Sequence, residues 1–473
     1  MTREDTQTDR LLRKSRDMNT SYQPLTVLAH TTVLFLLLAP ACSCYGESLS
    51  KDPLETAKSY RQAAEDGDAD AQFNLGWMYA SGNGVTKDPV EAVEWYRKAA
   101  DSGNAGAQFN LGLMYVTGEA LPQDCREAAK WFRKAADQGN AMAQQNLGFM
   151  YANGQGIEKD PVEAVKWYRK AADQGNAGAQ LNLGWMYENG QGVEKDSVEA
   201  VKWHRMAADQ GVSGAGVNLG LMYAKGKGVE KDPVEAVKWY RMAADQRSAE
   251  AQFNLGVMYA NGNGVPEDDK EAVKWFRMAA DQGSAEAQFN LGVMYDKGEG
   301  VPEDDQEAVK WYRMAADQGE AGAQNNLGLM YANGNGVPGD STEAYRWYNL
   351  AAAQGNKLAI ENRDNLKSRM TAKQISEGQS TFTITDAMAM FWGENWVLNI
   401  MLSAIFTWGL GLAPPLLMRF AFLRKPMSKT GAIVFVVVFV LVNVMMLMAL
   451  GGKPRASPRF FVALVSYYIL RRR

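Results

Sequence analysis

The sequence predicts an all-α chain organised as a solenoid of antiparallel helix pairs, and three observations predict it. The first is repetition: a Leu-Gly pair recurs at Leu75, Leu111, Leu147, Leu183, Leu219, Leu255, Leu291 and Leu327, a constant step of 36 residues. A fixed period in this range marks units that cannot bury an apolar face alone and must stack on a neighbour. The second is spacing. Ala71, Leu75, Met78 and Tyr79 fall at i, i+4, i+7, i+8, and Ala92, Trp95, Tyr96, Ala99 and Ala100 at i, i+3, i+4, i+7, i+8, so each unit holds two helices, A and B. The third is punctuation. Gly82 and Gly84 close helix A where positive φ is needed, and Asp88-Pro89-Val90-Glu91 opens helix B with Asp as N-cap, Pro at N1 and Glu in capping-box position.

The same residues predict the packing. Gly76, Ala92 and Ala99 are small enough for helix backbones to approach, while Leu75, Tyr79 and Trp95 supply bulk. With 473 residues, 46% hydrophobic, the chain can bury a large core, and a net charge of −4 offers nothing to nucleic acid. Cys42, Cys44 and Cys125 do not make a disulfide scaffold, a redox pair or a zinc site.

Taken together, A-Q-x-N-L-G-x-M-Y, the G-x-G turn, D-x-x-E-A and W-Y-x-x-A-A recur at fixed offsets over roughly residues 52 to 366. In these motifs the chain resembles the Sel-like (Sel-one-like) repeat family, a relative of the tetratricopeptide repeat with a longer turn between its helices. The resemblance implies a right-handed α-solenoid of 36-residue repeats that binds proteins or peptides, and it implies no chemistry.

Taken in order, the chain opens with a basic segment (Arg10, Arg13, Lys14, Arg16), then an apolar stretch over 25–39 and Ala39-Pro40-Ala41-Cys42. This is the pattern of a secretory signal peptide over 1–41, cut after Ala41. Cys42 at the new N-terminus admits a lipoprotein reading, which Ala39 at the −3 position weakens, and an uncleaved anchor stays open. The array is expected over 52–370, as eight full repeats plus caps. Residues 53–67 match helix B without its helix A, with Thr56 and Ser59 where Ala and Trp are usual, as suits a terminal unit facing water. At the other end Arg363 replaces the Leu, and 362–370 reads as a polar closing helix. Three internal departures stand out: Glu119-Ala120-Leu121 in place of G-x-G-V, Ala215-Gly216-Val217 in place of A-Q-x, and Arg247 in place of Gly. Drift in a redundant array accounts for them, with a local change of curvature or a specialised contact as the alternative.

A polar linker is expected over 371–390 and a membrane domain over 391–473, a small C-terminal transmembrane helical segment. The apolar runs 396–418 and 431–450 are each long enough to span a bilayer, and 458–470 is either a short, tilted third span or an interfacial helix. With the repeats outside, the inner face holds seven positive charges (Arg419, Arg424, Lys425, Lys429 and Arg471 to Arg473) against three (Lys453, Arg455, Arg459). Positive charge favours the inside, which places the repeats in the periplasm of a bacterial inner membrane, or in the lumen if the membrane is that of the endoplasmic reticulum. The expected partners are therefore the lipid bilayer, through the C-terminal helices, and a protein or peptide.

No catalytic, metal or cofactor site is expected. His30 falls in the signal peptide and His204 replaces the Tyr or Phe after a repeat Trp, so a histidine-based centre lacks members. Carboxylates such as Asp88 and Glu91 sit at capping positions, and the G-x-G turns lack the Lys-Ser/Thr of a phosphate loop. The reading is a membrane-anchored extracytoplasmic scaffold that is not an enzyme. A transport- or secretion-associated membrane subunit and a hydrolase are the alternatives.

Two rows on helix A are candidates for binding. One is an asparagine ladder: Asn74, Asn110, Asn146, Asn182, Asn218, Asn254, Asn290 and Asn326. In tetratricopeptide relatives a similarly placed Asn can hold a bound peptide; its place at the border of the packing stripe favours an inter-repeat hydrogen bond. The other lies one residue before each Asn and one after each Gly: Phe73 and Trp77, Phe109 and Leu113, Gln145 and Phe149, Leu181 and Trp185, Val217 and Leu221, Phe253 and Val257, Phe289 and Val293, Asn325 and Leu329. These residues change identity while staying mostly apolar, as a recognition surface would, and in the tetratricopeptide relatives this side lines the concave groove. Filling the contact between successive A helices is the competing explanation.

Overall fold

The computed structural model describes residues 52–380, and within them nineteen α-helices follow one another without a strand. The helices belong to two compact units, divided between Ser284 and Ala285. The first holds the helices from Pro53–Glu65 to Asp269–Asp281, and the second those from Ala285–Lys297 to Ala372–Ser380. In each, an A helix packs on the B helix of its own repeat, and B helices pack on the A helix that follows. The expected signal peptide (1–41), the apolar runs (396–418, 431–450, 458–470) and the positively charged loops lie outside the described residues. Among the described residues no helix is long and apolar enough to cross a membrane.

Helix B begins where the sequence places it, and its cap differs in one bond. The Asp88 carboxylate accepts from the N–H groups of Val90 (3.0 Å) and Glu91 (3.2 Å), satisfying two of the donors a helix start leaves unpaired. The return bond of a capping box is not available. The Asp88 N–H donates instead to the Tyr79 carbonyl at 2.9 Å, tying the start of helix B to the last turn of helix A. The glutamates of this position turn outward, and Glu163, Glu199 and Glu235 pair with Lys166, Lys202 and Lys238 one turn on. Such exposed pairs contribute little, because solvent screens them.

The two glycines of the turn have different reasons. Gly82 ends helix A in the left-handed region (φ 80°), its N–H bonded to the Met78 carbonyl at 2.8 Å. Gly84 is also left-handed (φ 73°), and a Cβ there would stand 2.1 Å from the Pro53 carbonyl oxygen, on the preceding B helix. In the second repeat Ala120 holds φ 60° at this place, and one bond of the turn changes. Glu119 N–H bonds the Thr117 hydroxyl at 3.3 Å, whereas its counterparts Asn83 and Gln155 donate to the carbonyls of Met78 and Met150.

The core follows the expected pattern. Leu75, Leu111, Leu147, Leu183, Leu219 and Leu255 in the first unit are completely buried, as are Ala92 and Ala99. Gly76 is the seat of a ring from helix B: a Cβ there would lie 2.8 Å from Cδ1 of Tyr96, and Phe132, Tyr168, His204, Tyr240 and Phe276 sit over the equivalent glycines. At the N-terminal edge helix Pro53–Glu65 is capped by Asp52 and leaves Ser59 exposed, in keeping with a half unit. At the other edge helix Lys357–Lys367 buries Ala359. The segment expected as linker opens with a further helix, Ala372–Ser380, packed on Ser341–Ala353 with Gln379 Nε2 3.4 Å from the Tyr345 hydroxyl.

Candidate protein-interaction surface

The polar ladder that joins the repeats is made of glutamine. Gln72, Gln108, Gln144, Gln180 and Gln252 in the first unit, and Gln288 and Gln324 in the second, are buried. Gln108 Nε2 donates to the Ala100 carbonyl at 3.0 Å and its Oε1 accepts from Gln138 Nε2 at 2.8 Å; Gln144 repeats this with Ala136 (3.0 Å) and Gln174 (2.7 Å). Both of these amides bridge the preceding B helix and the one after it, whereas the Gln72 Oε1 is buried without a partner. In a buried setting such a bond is costly to leave unmade, so these residues set the register between neighbours. The signal was present in A-Q-x-N-L-G, where Gln returns in every repeat but the fifth, yet a polar residue beside an apolar stripe reads as surface until its burial is known.

The asparagines do not act alike. Asn110 meets the Tyr96 hydroxyl and Asn326 that of Tyr312, each joining an A helix to the B helix before it. Asn146 and Asn290 turn back on their own helices, donating at 2.9 Å to the carbonyls of Met142 and Glu286. Asn182 and Asn218 are buried, and Asn74 and Asn254 half-buried.

The two halves of the apolar row also separate. The residues before Asn go into packing: the rings of Phe73, Phe109 and Phe253 lie 6.0, 5.8 and 5.9 Å from those of Tyr96, Phe132 and Phe276, and Phe289 lies 6.0 Å from Tyr312. Phe73 also covers Gly106 on the next A helix, where a Cβ would come within 3.1 Å of its ring. Phe109, Leu181, Val217 and Asn325 are buried and Gln145 is half-buried. The residues after Gly are more open: Trp77, Leu113, Phe149, Trp185, Leu221 and Val257 are half-buried, Leu329 is exposed, and Val293 alone is buried. Phe73, Phe253 and Phe289 are half-buried too, so solvent reaches four of the eight positions before Asn and seven of the eight after Gly.

A further inter-repeat contact was not legible beforehand. Arg133, Arg169 and Arg205 of successive B helices bond the hydroxyls of Tyr151, Tyr187 and Tyr223 on the following A helices, and Arg133 lies 5.7 Å from the centre of the Trp167 ring. One cluster departs from the pattern. Glu188 replaces the usual Ala, its Oε2 lies 3.7 Å from Nε2 of the fully buried His204, and its Oε1 accepts from Lys227 Nζ at 2.8 Å. His204, opposed by burial, and then Lys227 hold the Glu188 carboxyl down at about 2. Its contribution to stability is present above the ordinary value of 4.5 and is lost as pH falls toward 2. Acid unfolding followed by circular dichroism should accordingly be less steep across that window in Glu188→Gln than in the parent chain; identical profiles would refute the role.

Nine stretches, 36–68, 69–104, 105–140, 141–176, 177–212, 217–248, 249–284, 285–320 and 321–356, match the family model described as the Sel1 repeat. The chain belongs to the Sel1 repeat family. The first match takes helix Pro53–Glu65, the half unit, as the second part of a Sel1 repeat beginning at residue 36. Among solved structures, the chain is similar to c5321, a protective antigen of uropathogenic Escherichia coli strains displaying an SLR fold, with 35% identity and a TM-score of 0.50 over 71% of this chain and 79% of that one. It is also similar to a Sel1 repeat protein from Oxalobacter formigenes, with 34% identity and a TM-score of 0.52 over 71% of this chain and 99% of the other. No curated protein matches the sequence.

Proposed function

We propose that this Sel1 repeat protein is a non-enzymatic scaffold that binds a protein or peptide along its A helices, tethered to a membrane by the apolar runs after the array. The observation that carries the binding reading is the row Trp77, Leu113, Phe149, Trp185, Leu221 and Val257, half-buried at one position of successive A helices. An apolar strip on a regular scaffold suits an apolar-faced partner, and the large aromatic members are the kind of anchor that dominates interface energies. Photo-crosslinking capture by the full-length protein tests it. Leu113→Ser with Phe149→Ser should reduce capture about tenfold or more, beyond the modest loss of stability expected from two half-buried side chains that also pack against the core. Undiminished capture would remove the row from the interface.

The apolar runs 396–418 and 431–450 support the tether, and the excess of positive charge over 419–429 and 471–473 supports repeats on the extracytoplasmic side of a bacterial inner membrane. Protease added to cells with a permeabilised outer layer should then digest the repeats. Full protection of them would place the array on the opposite face.

A further inference from the structure

The fifth repeat lacks, at one end of its A helix, the two directional bonds that hold the others. Helix Ala177–Asn189 is capped by Asn176, which accepts from Ala179 N–H at 2.8 Å, and helix Ala249–Ala260 by Ser248, which accepts from Ala251 N–H. Helix Ser213–Lys225 has Val212 in the N-cap position and no side-chain cap bond. Its second bond is missing as well. Gly216 stands where Gln180 and Gln252 donate to the carbonyls of Ala172 and Ala244, so no amide reaches back, and Gln246, placed as Gln210 is toward Gln180, has no glutamine to reach. Residues 213–216 are also the one internal stretch that the Sel1 repeat matches skip. Ala215 and Val217 remain buried, so beyond the backbone bond from the Val212 N–H to the Ala207 carbonyl (3.1 Å) this turn is held to its neighbours by apolar contact, which has no preferred direction.

The other end of the same helix is secured by a contact that the equivalent positions of the adjoining repeats lack. Lys227, just past the helix, bonds Glu188 at the end of the preceding A helix, where the equivalent residues are Ala152 and Ala224. His204 lies beneath that carboxylate, against Gly184.

We propose that helix Ser213–Lys225 is a hinge of the array, its first turn able to leave the fourth repeat while the Glu188–Lys227 bond pins its far end. Such a pivot lets the A helices on either side change their spacing, which would let the row adapt to what docks on it. The hinge stands or falls independently of the binding row, because it rests on bonds between repeats and not on exposed residues.

Hydrogen exchange on the full-length protein tests it. A lost cap and a lost buried hydrogen bond together should make the amides of 215–219 exchange about tenfold or more faster than those of 179–183. Val212→Asn with Gly216→Gln should restore both bonds and bring the two segments to within about threefold. A Cβ at Gly216 would make only ordinary contacts, with nothing nearer than 3.4 Å. Should the double variant misfold, Val212→Asn alone, at a half-exposed site, should still slow exchange in 215–219. Glu188→Ala should extend fast exchange to 221–225. Equal protection of 215–219 and 179–183 in the parent protein, or variants that leave the rates unchanged, would overturn the hinge.

Discussion

Leu147→Ala is expected to cost the array about 2–5 kcal/mol, the largest loss from any single truncation considered. Leu147 is completely buried between its own B helix and the surrounding repeats, in the same cluster as Phe132, Met150 and Trp167. Removing its isobutyl group forfeits the transfer term and leaves a cavity that rigid helices on both sides cannot close. The comparison with Leu75→Ala gives the prediction its content, because Leu75 is buried to the same degree. In a nearest-neighbour array, damage near the half unit Pro53–Glu65 frays that edge, whereas damage at Leu147 cuts the coupling between folded repeats on either side. Urea unfolding of the two variants should show the larger loss at Leu147. Equal losses would mean that the array melts as one indivisible block.

Gly148→Ala should be destabilising by about 1–3 kcal/mol although it improves the local helix propensity by about 1 kcal/mol. The two effects oppose each other and geometry decides between them. A Cβ on Gly148 would stand 2.8, 2.9 and 3.2 Å from three carbons of the Tyr168 ring, and that ring is 1% exposed. An enclosed ring has little room to yield, so the A and B helices are expected to move apart. That shift also strains the bond that Gln144 donates to the Ala136 carbonyl and the one it accepts from Gln174, one turn earlier. Thermal unfolding that is unchanged or improved would show that the helix pair can separate freely, contrary to the close packing of the core. The adjacent Leu and Gly thus fail in opposite ways, one by removing volume and the other by adding it.

The elements most legible in the sequence were those governed by local chemistry repeated many times. Helix lengths, the Asp caps, the left-handed Gly82 and the buried Leu-Gly register depend on residues within a few positions of one another, and eight copies make the pattern unmistakable. The two helices of each repeat, and the family itself, follow from that spacing. Where two explanations shared one spacing, the tertiary structure chose. Phe109 and Leu113 are one helical turn apart and both apolar, but Phe109 is buried against the Phe132 ring while Leu113 is only half-buried.

The sequence by itself determined the repeat, its two helices, their caps and the apolar face, because each is a matter of local conformation or of periodic burial. Only the tertiary structure decided which polar residues join one repeat to the next. Gln108 looks like a surface residue until Ala100 and Gln138, from two different B helices, converge on it. The Asp88 N–H looks available to Glu91 until Tyr79 takes it, and Glu188, His204 and Lys227 look like unrelated substitutions until stacking brings them together. Hydrogen bonds between repeats depend on distances across a stacking interface, and a one-dimensional pattern carries the period of that interface but not its depth.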